Sequence, residues 1–288
     1  RGEYTLLIDG KEVAKDEGAI KQTTVFYSMN AQAGKKYDIE LRYRHIEKSA
    51  NLSFDMGASR PVDIAALLKK VEKADVVVFA GGIAPSLEGE EMPVSAPGFR
   101  GGDREDIQLP AVQRSVVKAL KDAGKRVVFV NFSGSAMGLV PESRNCEGMI
   151  QAWYPGQAGG TAIVDVLFGK YNPAGRLPVT FYRDIKQLPD FQDYSMRGRT
   201  YRYFRGNPLY DFGYGLSYTT FEYGKAKLSK GAMDKNGTCT IVIPVMNTGK
   251  LAGEEVVQVY IRRVEDKEGP IKSLKAFKRI PLKPGQQQ

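Results

Sequence analysis

The sequence predicts an α/β fold: a central, mostly parallel α/β sandwich flanked by partial all-β sandwich segments. Three observations predict it. Short unbroken apolar runs, VVVFA at 76–80 and RVVFVN at 126–131, read as strands of a parallel sheet covered on both faces. Stretches with helical spacing alternate with them, as in βαβ units. On either side the period falls to two, the mark of half-buried strands. The resulting divisions are a partial β-sandwich at 1–59, the α/β domain at 60–190, a connector at 191–214 and a second partial β-sandwich at 215–288.

In the first segment YTLLIDG alternates and ends on Asp9-Gly10, a hairpin turn signal. VFYSMNA, KYDIELRYRH and ANLSFDMG supply three more strand patterns, with Tyr37, Ile39, Leu41 and Tyr43 on one face of the second. From Pro61 the periodicity changes. Ile64, Leu67, Leu68 and Val71 stand at helical spacing, and the 76–80 strand follows. Gly81 and Gly82 open a long irregular stretch that closes on GDR before Pro110, where a helix starts. Val112, Val116, Val117 and Leu120 form that helix's apolar stripe, and Gly124 ends it.

The 126–131 strand leads into the turn FSGSAMG, then a strand at 149–154, a short helix at 161–168 and a last strand at 177–181. Residues 184–211 are irregular and rich in Tyr, Arg and Pro, an extended connector. PLYDFGYGLSYTTFEY, CTIVIPVMNTG, EEVVQVYI and SLKAFKRIPL then give the strands of an immunoglobulin-like or fibronectin-like sandwich.

Bulk properties exclude several functions. The net charge of +9 arises from 42 basic and 33 acidic residues that are scattered, without the contiguous basic face of a nucleic-acid binder. No apolar run approaches a membrane span. Cys146 and Cys239 are too few for a disulfide framework and read as small buried hydrophobes. One histidine, His45, removes His-rich zinc sites and a Ser-His-Asp triad, so neither metal nor cofactor is expected. The chain opens at Arg1 inside a strand pattern, so its natural start is expected upstream, and KPGQQQ reads as a cut end.

Chemistry concentrates in LEGEEMPVSAPGFRGGDR, between the 76–80 strand and the following helix. Loops at the carboxyl ends of parallel strands bind ligands, and long loops in compact domains are functional or disordered. Glu88, Glu90 and Glu91 stand within four residues. In an extended segment Glu88 and Glu90 project together and Glu91 opposite. Crowded carboxylates keep one member protonated, which is what a general acid requires. The bland alternative is a solvated acidic loop. Asp103 and Arg104 serve as a pair pinning the loop base or as sugar contacts. A dinucleotide fingerprint at Gly81-Gly82 fails, because an acidic loop rather than a helix follows.

Through LEGEEMPVSAPGFRGGDREDIQLPAVQ, VVFVNFSGSAM, MIQAWYPGQAGGTAIVDVLFGKYNPAGRLPVTF and PLYDFGYGLSYTTFEY, the sequence resembles the C-terminal α/β sandwich of glycoside hydrolase family 3. VMNTGKLAGEEVVQVYI extends the likeness into that family's fibronectin type III-like domain, and 1–59 resembles the end of a protective-antigen-type β-sandwich insertion. The resemblance implies a retaining exo-acting β-glucosidase or β-xylosidase acting on β-linked oligosaccharides or glycosides, in a periplasmic or secreted setting. It implies Glu90 as the general acid/base, with Glu91 and Glu88 as fallbacks. It also implies that the nucleophilic aspartate belongs to an N-terminal TIM-like barrel of the same protein, so these residues alone are expected to be inactive. A non-catalytic carbohydrate-binding or structural module is the competing class.

Overall fold

The computed structural model describes residues 2–18, 25–46, 52–90, 92 and 94–288. Strands β1 (Gly2–Ile8), β2 (Lys11–Asp16) and β3 (Ile39–His45) precede helix α1 (Ile64–Lys70) and strand β4 (Val76–Gly82). The one-turn helix α2 (Pro85–Glu88) and the two-residue strands β5 (Ser95–Ala96), β6 (Phe99–Arg100) and β7 (Asp103–Arg104) follow. Helix α3 (Ala111–Asp122), strand β8 (Arg126–Phe132), helix α4 (Val140–Asn145), strand β9 (Gly148–Gln151) and helices α5 (Gly159–Leu167) and α6 (Thr200–Tyr203) come next. The chain ends in β10 (Phe221–Tyr223), β11 (Lys227–Leu228), β12 (Ile241–Val242), β13 (Val245–Asn247), β14 (Gly253–Ile261) and β15 (Ser273–Leu282). It divides into two compact units, Arg1–Lys73 with Ala84–Asp106, and Ala74–Ile83 with Ile107–Gln288.

In the first unit an antiparallel sheet has the order β2-β1-β3. The turn joining β1 to β2 is Asp9-Gly10, at φ 51° and 75°, the doubly positive pair that tight hairpins favour. Asp38 N donates to Asp9 Oδ1 at 2.9 Å, fixing the turn to the start of β3, and this bond foremost holds the Asp9 carboxyl below its usual range. Helix α1 is capped by Asp63, which accepts from Ala66 N. No strand forms over 25–31, where one was expected, nor over the described part, 52–57, of the strand expected at 50–57, whose first two residues lie outside the described residues. The alternation in 25–31 and 52–57 lacks a partner ladder, and Phe26 and Met56 are each 71% exposed.

In the second unit β4, β8 and β9 form a parallel sheet in that order. Helix α3 packs against β4, β8 and α4, burying Val117 and Leu120. It ends where predicted: Gly124 takes φ 73°, and Lys125 N bonds back to Leu120 O at 3.0 Å. Val127, Phe129 and Val130 of β8 are fully buried with Met137, Leu139 and Phe181.

Burial of β4 on both faces is not observed: Val76 and Val78, two residues apart on one face of the strand, are 41% and 52% exposed. The strand expected at 177–181 is replaced by one bridge from Phe181 to Tyr210, since Pro178 offers no ladder donor. Helices α4 and α6 were not foreseen. The C-terminal strands pair as β10–β13, β11–β12 and β14–β15, all antiparallel. Val245, Ile280 and Leu282 form their core, with Phe221 and Val257 against it.

Candidate active site

The acidic stretch leaves the carboxyl end of β4. There the backbone explains the two glycines, which lie inside the strand rather than in a turn after it. Gly82 has φ 132°, and a Cβ on it would strike the Phe132 backbone. Ile83 N then donates to Phe132 O at 2.8 Å, locking the exit.

Pro85 starts helix α2, its fixed φ suiting the first turn. The turn closes when Gly89 adopts the left-handed conformation at φ 60° and donates to Pro85 O at 2.8 Å. A side chain there would also collide with Val94, so only glycine fits. Glu88 is therefore the last residue of a helical turn, half-buried, and Glu90 is exposed on the far side of a left-handed glycine. The extended arrangement expected for the pair is not the one observed, because Pro85 and Gly89 impose a helical turn. Glu91 lies outside the described residues.

Beyond Val94 the loop folds on itself as an antiparallel ribbon of β5, β6 and β7, with Phe99 buried. Gly98, Gly101 and Gly102, all at positive φ, make its turns. Asp103 is exposed opposite Arg100, and Arg104 is half-buried opposite Phe99. As neighbours in one strand they project to opposite sides. An ion pair not singled out in the sequence, Arg100–Glu105, also ties the ribbon.

The return end of the loop is also fastened. Gly138 N donates to Ile107 O at 2.8 Å, and Gln108 bridges to Gly138. Arg114 of α3 donates to Gln108 Oε1, to Gly138 O at 2.8 Å and, through Nε, to the buried Glu142 at 3.2 Å. Its neighbour Gln113 bonds both backbone groups of Gly82, accepting at 2.8 Å and donating at 2.7 Å. Sequence reasoning missed Gln113, Arg114 and Glu142, because isolated polar residues on an amphipathic helix carry no pattern. SGSAMG is the expected strand-to-helix geometry, its Ser133 hydroxyl donating to Ser135 O at 2.9 Å.

The connector tyrosines pack mainly on one another. Tyr201 stacks on Phe212 at 4.2 Å and Tyr210 on Tyr214 at 5.0 Å, while Tyr194 is 90% exposed. His45 ends β3 on the surface. No helix is long and apolar enough to cross a membrane, and no cluster of metal-ligating side chains occurs among the described residues.

The glycosyl hydrolase family 3 C-terminal domain matches residues 9–218, and the fibronectin type III-like domain matches 255–288. A xylan 1,4-beta-xylosidase of Xylanibacter ruminicola is 49% identical over 285 residues, 99% of this chain and 33% of that enzyme. A periplasmic beta-glucosidase of Salmonella typhimurium is 38% identical over 76% of this chain and 29% of its own length. Among solved structures, a β-glucosidase from Erythrobacter marinus aligns at TM-score 0.66 and 36% identity, covering 78% of this chain and 30% of that one. A beta-glucosidase from Kluyveromyces marxianus aligns at TM-score 0.69 and 26% identity over the whole of this chain and 36% of its own. The chain thus spans about a third of the length of these relatives. It belongs to glycosyl hydrolase family 3, matching that family's C-terminal domain and its fibronectin type III-like domain.

Proposed function

We propose that this chain supplies the general acid/base to a retaining, exo-acting β-glycosidase of the β-glucosidase or β-xylosidase type. The active site is completed by a nucleophilic carboxylate on a barrel elsewhere in the full-length protein. The observation that carries the reading is the loop Ala84–Asp106. In a family 3 C-terminal domain it places Glu88 and Glu90 on either side of a left-handed glycine at a parallel strand's exit.

In this mechanism the barrel carboxylate attacks the anomeric carbon while Glu90, as the acid, protonates the departing glycosidic oxygen. Glu90, now a carboxylate, then removes a proton from the water that hydrolyses the glycosyl-enzyme, restoring both groups. Glu90 is the assignment, and Glu88 and Glu91 are the alternatives within the same loop. Asp103 and Arg104, on opposite sides of the ribbon, position the loop or contact sugar. Residues 60–190 form the α/β domain in this reading. The substrate is a β-linked oligosaccharide or glycoside, and a periplasmic or secreted setting is proposed in line with the periplasmic relative.

The test is alanine substitution at Glu88, Glu90 and Glu91, one at a time, in the full-length enzyme. Loss of glycoside turnover confined to the Glu90 variant supports the assignment. Loss at Glu88 or Glu91 instead moves it, and full activity in all three favours a binding module. The present chain alone is then inactive on aryl glycosides, and measurable turnover from it would refute the shared site.

A further inference from the structure

A proton donor must sit within hydrogen-bond reach of the leaving oxygen, and a misplacement of about 1 Å costs on the order of a hundredfold in rate. A long surface loop does not hold that tolerance unless its ends are fixed. Both ends of the Ala84–Asp106 loop are fixed by consecutive residues in the first turn of α3.

Gln113 treats Gly82 as a neighbouring strand would, accepting from its N–H at 2.8 Å and donating to its carbonyl at 2.7 Å. Gly81 leaves room for this: a Cβ there would lie 2.5 Å from Gln113 Oε1. Arg114 turns to the other end. Its Nη2 holds the Gln108 side chain and the Gly138 carbonyl, and Gly138 in turn bonds Ile107. Its Nε is held by Glu142, which is 1% exposed, so the guanidinium is anchored on its far side. Successive helical residues diverge by about 100°, which lets one turn of α3 grip two separate chain segments.

We propose that Gln113 and Arg114 are positioning residues, a two-point clamp on the exit and return of the loop that presents Glu90. This rests on the reading of Glu90 as the proton donor. A purely structural role for the two residues would affect all substrates alike. Misplacement of a proton donor would not, because a 2,4-dinitrophenolate departs without protonation and an alkoxide does not.

The experiment has two arms, using Gln113→Met and Arg114→Lys. In the full-length enzyme, kcat/KM for an alkyl β-glycoside is expected to fall at least about tenfold, and for the 2,4-dinitrophenyl glycoside to change less than about twofold. In the present chain, amide hydrogen exchange over 84–106 is expected to rise at least about tenfold while residues 127–130 of β8 stay unchanged. Equal losses on both substrates, unchanged exchange in the loop, or acceleration shared with β8 would each overturn the clamp. Glu90→Gln is run in parallel on the two substrates. If it leaves their ratio unaltered, the Glu90 reading fails and takes the catalytic half of the proposal with it, while the exchange arm still decides whether the loop is clamped.

Discussion

Arg176 Nη2 meets Glu255 Oε2 at 2.8 Å, and both side chains are only 12% exposed. Arg176 belongs to the stretch matched by the family 3 C-terminal domain, and Glu255 opens the fibronectin type III-like match. The pair therefore joins the two matched regions. A single charge stranded in so little solvent costs several kcal/mol. Arg176→Met is expected to destabilise the chain by roughly 3 kcal/mol in denaturant unfolding. Arg176→Lys should recover only part of that, lacking the planar fork. A variant as stable as the parent would show the pair to be incidental.

The other oxygen of Glu255 accepts from the Tyr223 hydroxyl at 2.9 Å. Burial, and then this bond to a carboxylate, raise the Tyr223 pKa well above the ordinary tyrosine value. Above about pH 10 an unfolded Tyr223 loses its proton while the folded one keeps it. The unfolded state then binds fewer protons, so stability falls as pH rises through that window. Tyr223→Phe should flatten the decline between about pH 10 and 11. An identical alkaline slope in the variant would contradict this.

In the α/β unit Phe129 is fully buried, its ring centroid 5.7 Å from that of Phe79 on the adjacent strand. Phe129→Ala removes a large side chain from a site bounded by strands and α3, which leaves little room for collapse. The expected cost is about 3–5 kcal/mol, measured as a lowered denaturation midpoint. A cost under about 1 kcal/mol would mean that this sheet is not the core.

The cysteines should separate chemically. Burial, with Glu142 adding to it, pushes the Cys146 thiol up to about 11, while hydrogen bonds at the Lys230 backbone and Ser229 hydroxyl hold the Cys239 thiol below its ordinary value. At pH 8 only about one Cys146 in a thousand is thiolate, and the thiolate is the nucleophile. Iodoacetamide should label Cys239 at least about tenfold faster, read by peptide mass spectrometry. Equal rates would contradict the burial of Cys146.

Elements with strong periodicity were legible. Helix α3, strands β8, β14 and β15 and the Asp9-Gly10 turn stand where spacing and turn chemistry put them. The failures share a cause, since strand patterns say nothing about partners. The stretch VFYSMNA read as a strand but lies in irregular chain, and Pro178 broke an otherwise persuasive run. At the candidate site, the acid-rich loop and its strand exit were readable. The helical turn set by Pro85 and Gly89 was within reach of the sequence, since a proline opening and a glycine closing a short segment are local signals. Gln113, Arg114 and Glu142 were not, because Gly82, Glu142 and Gly138 lie 24 to 31 residues along the chain from the helix residue that each one meets.

The identity of the proton donor is tested most directly by the product that a Glu90→Ala full-length enzyme forms from an activated aryl glycoside in azide. Without the carboxylate, no base activates water on the glycosyl-enzyme, and azide, which needs no deprotonation, takes its place. Turnover without azide should fall by about 10²- to 10⁴-fold. With azide it should recover and yield the β-glycosyl azide. Turnover insensitive to azide, with free sugar as the sole product, would contradict the assignment.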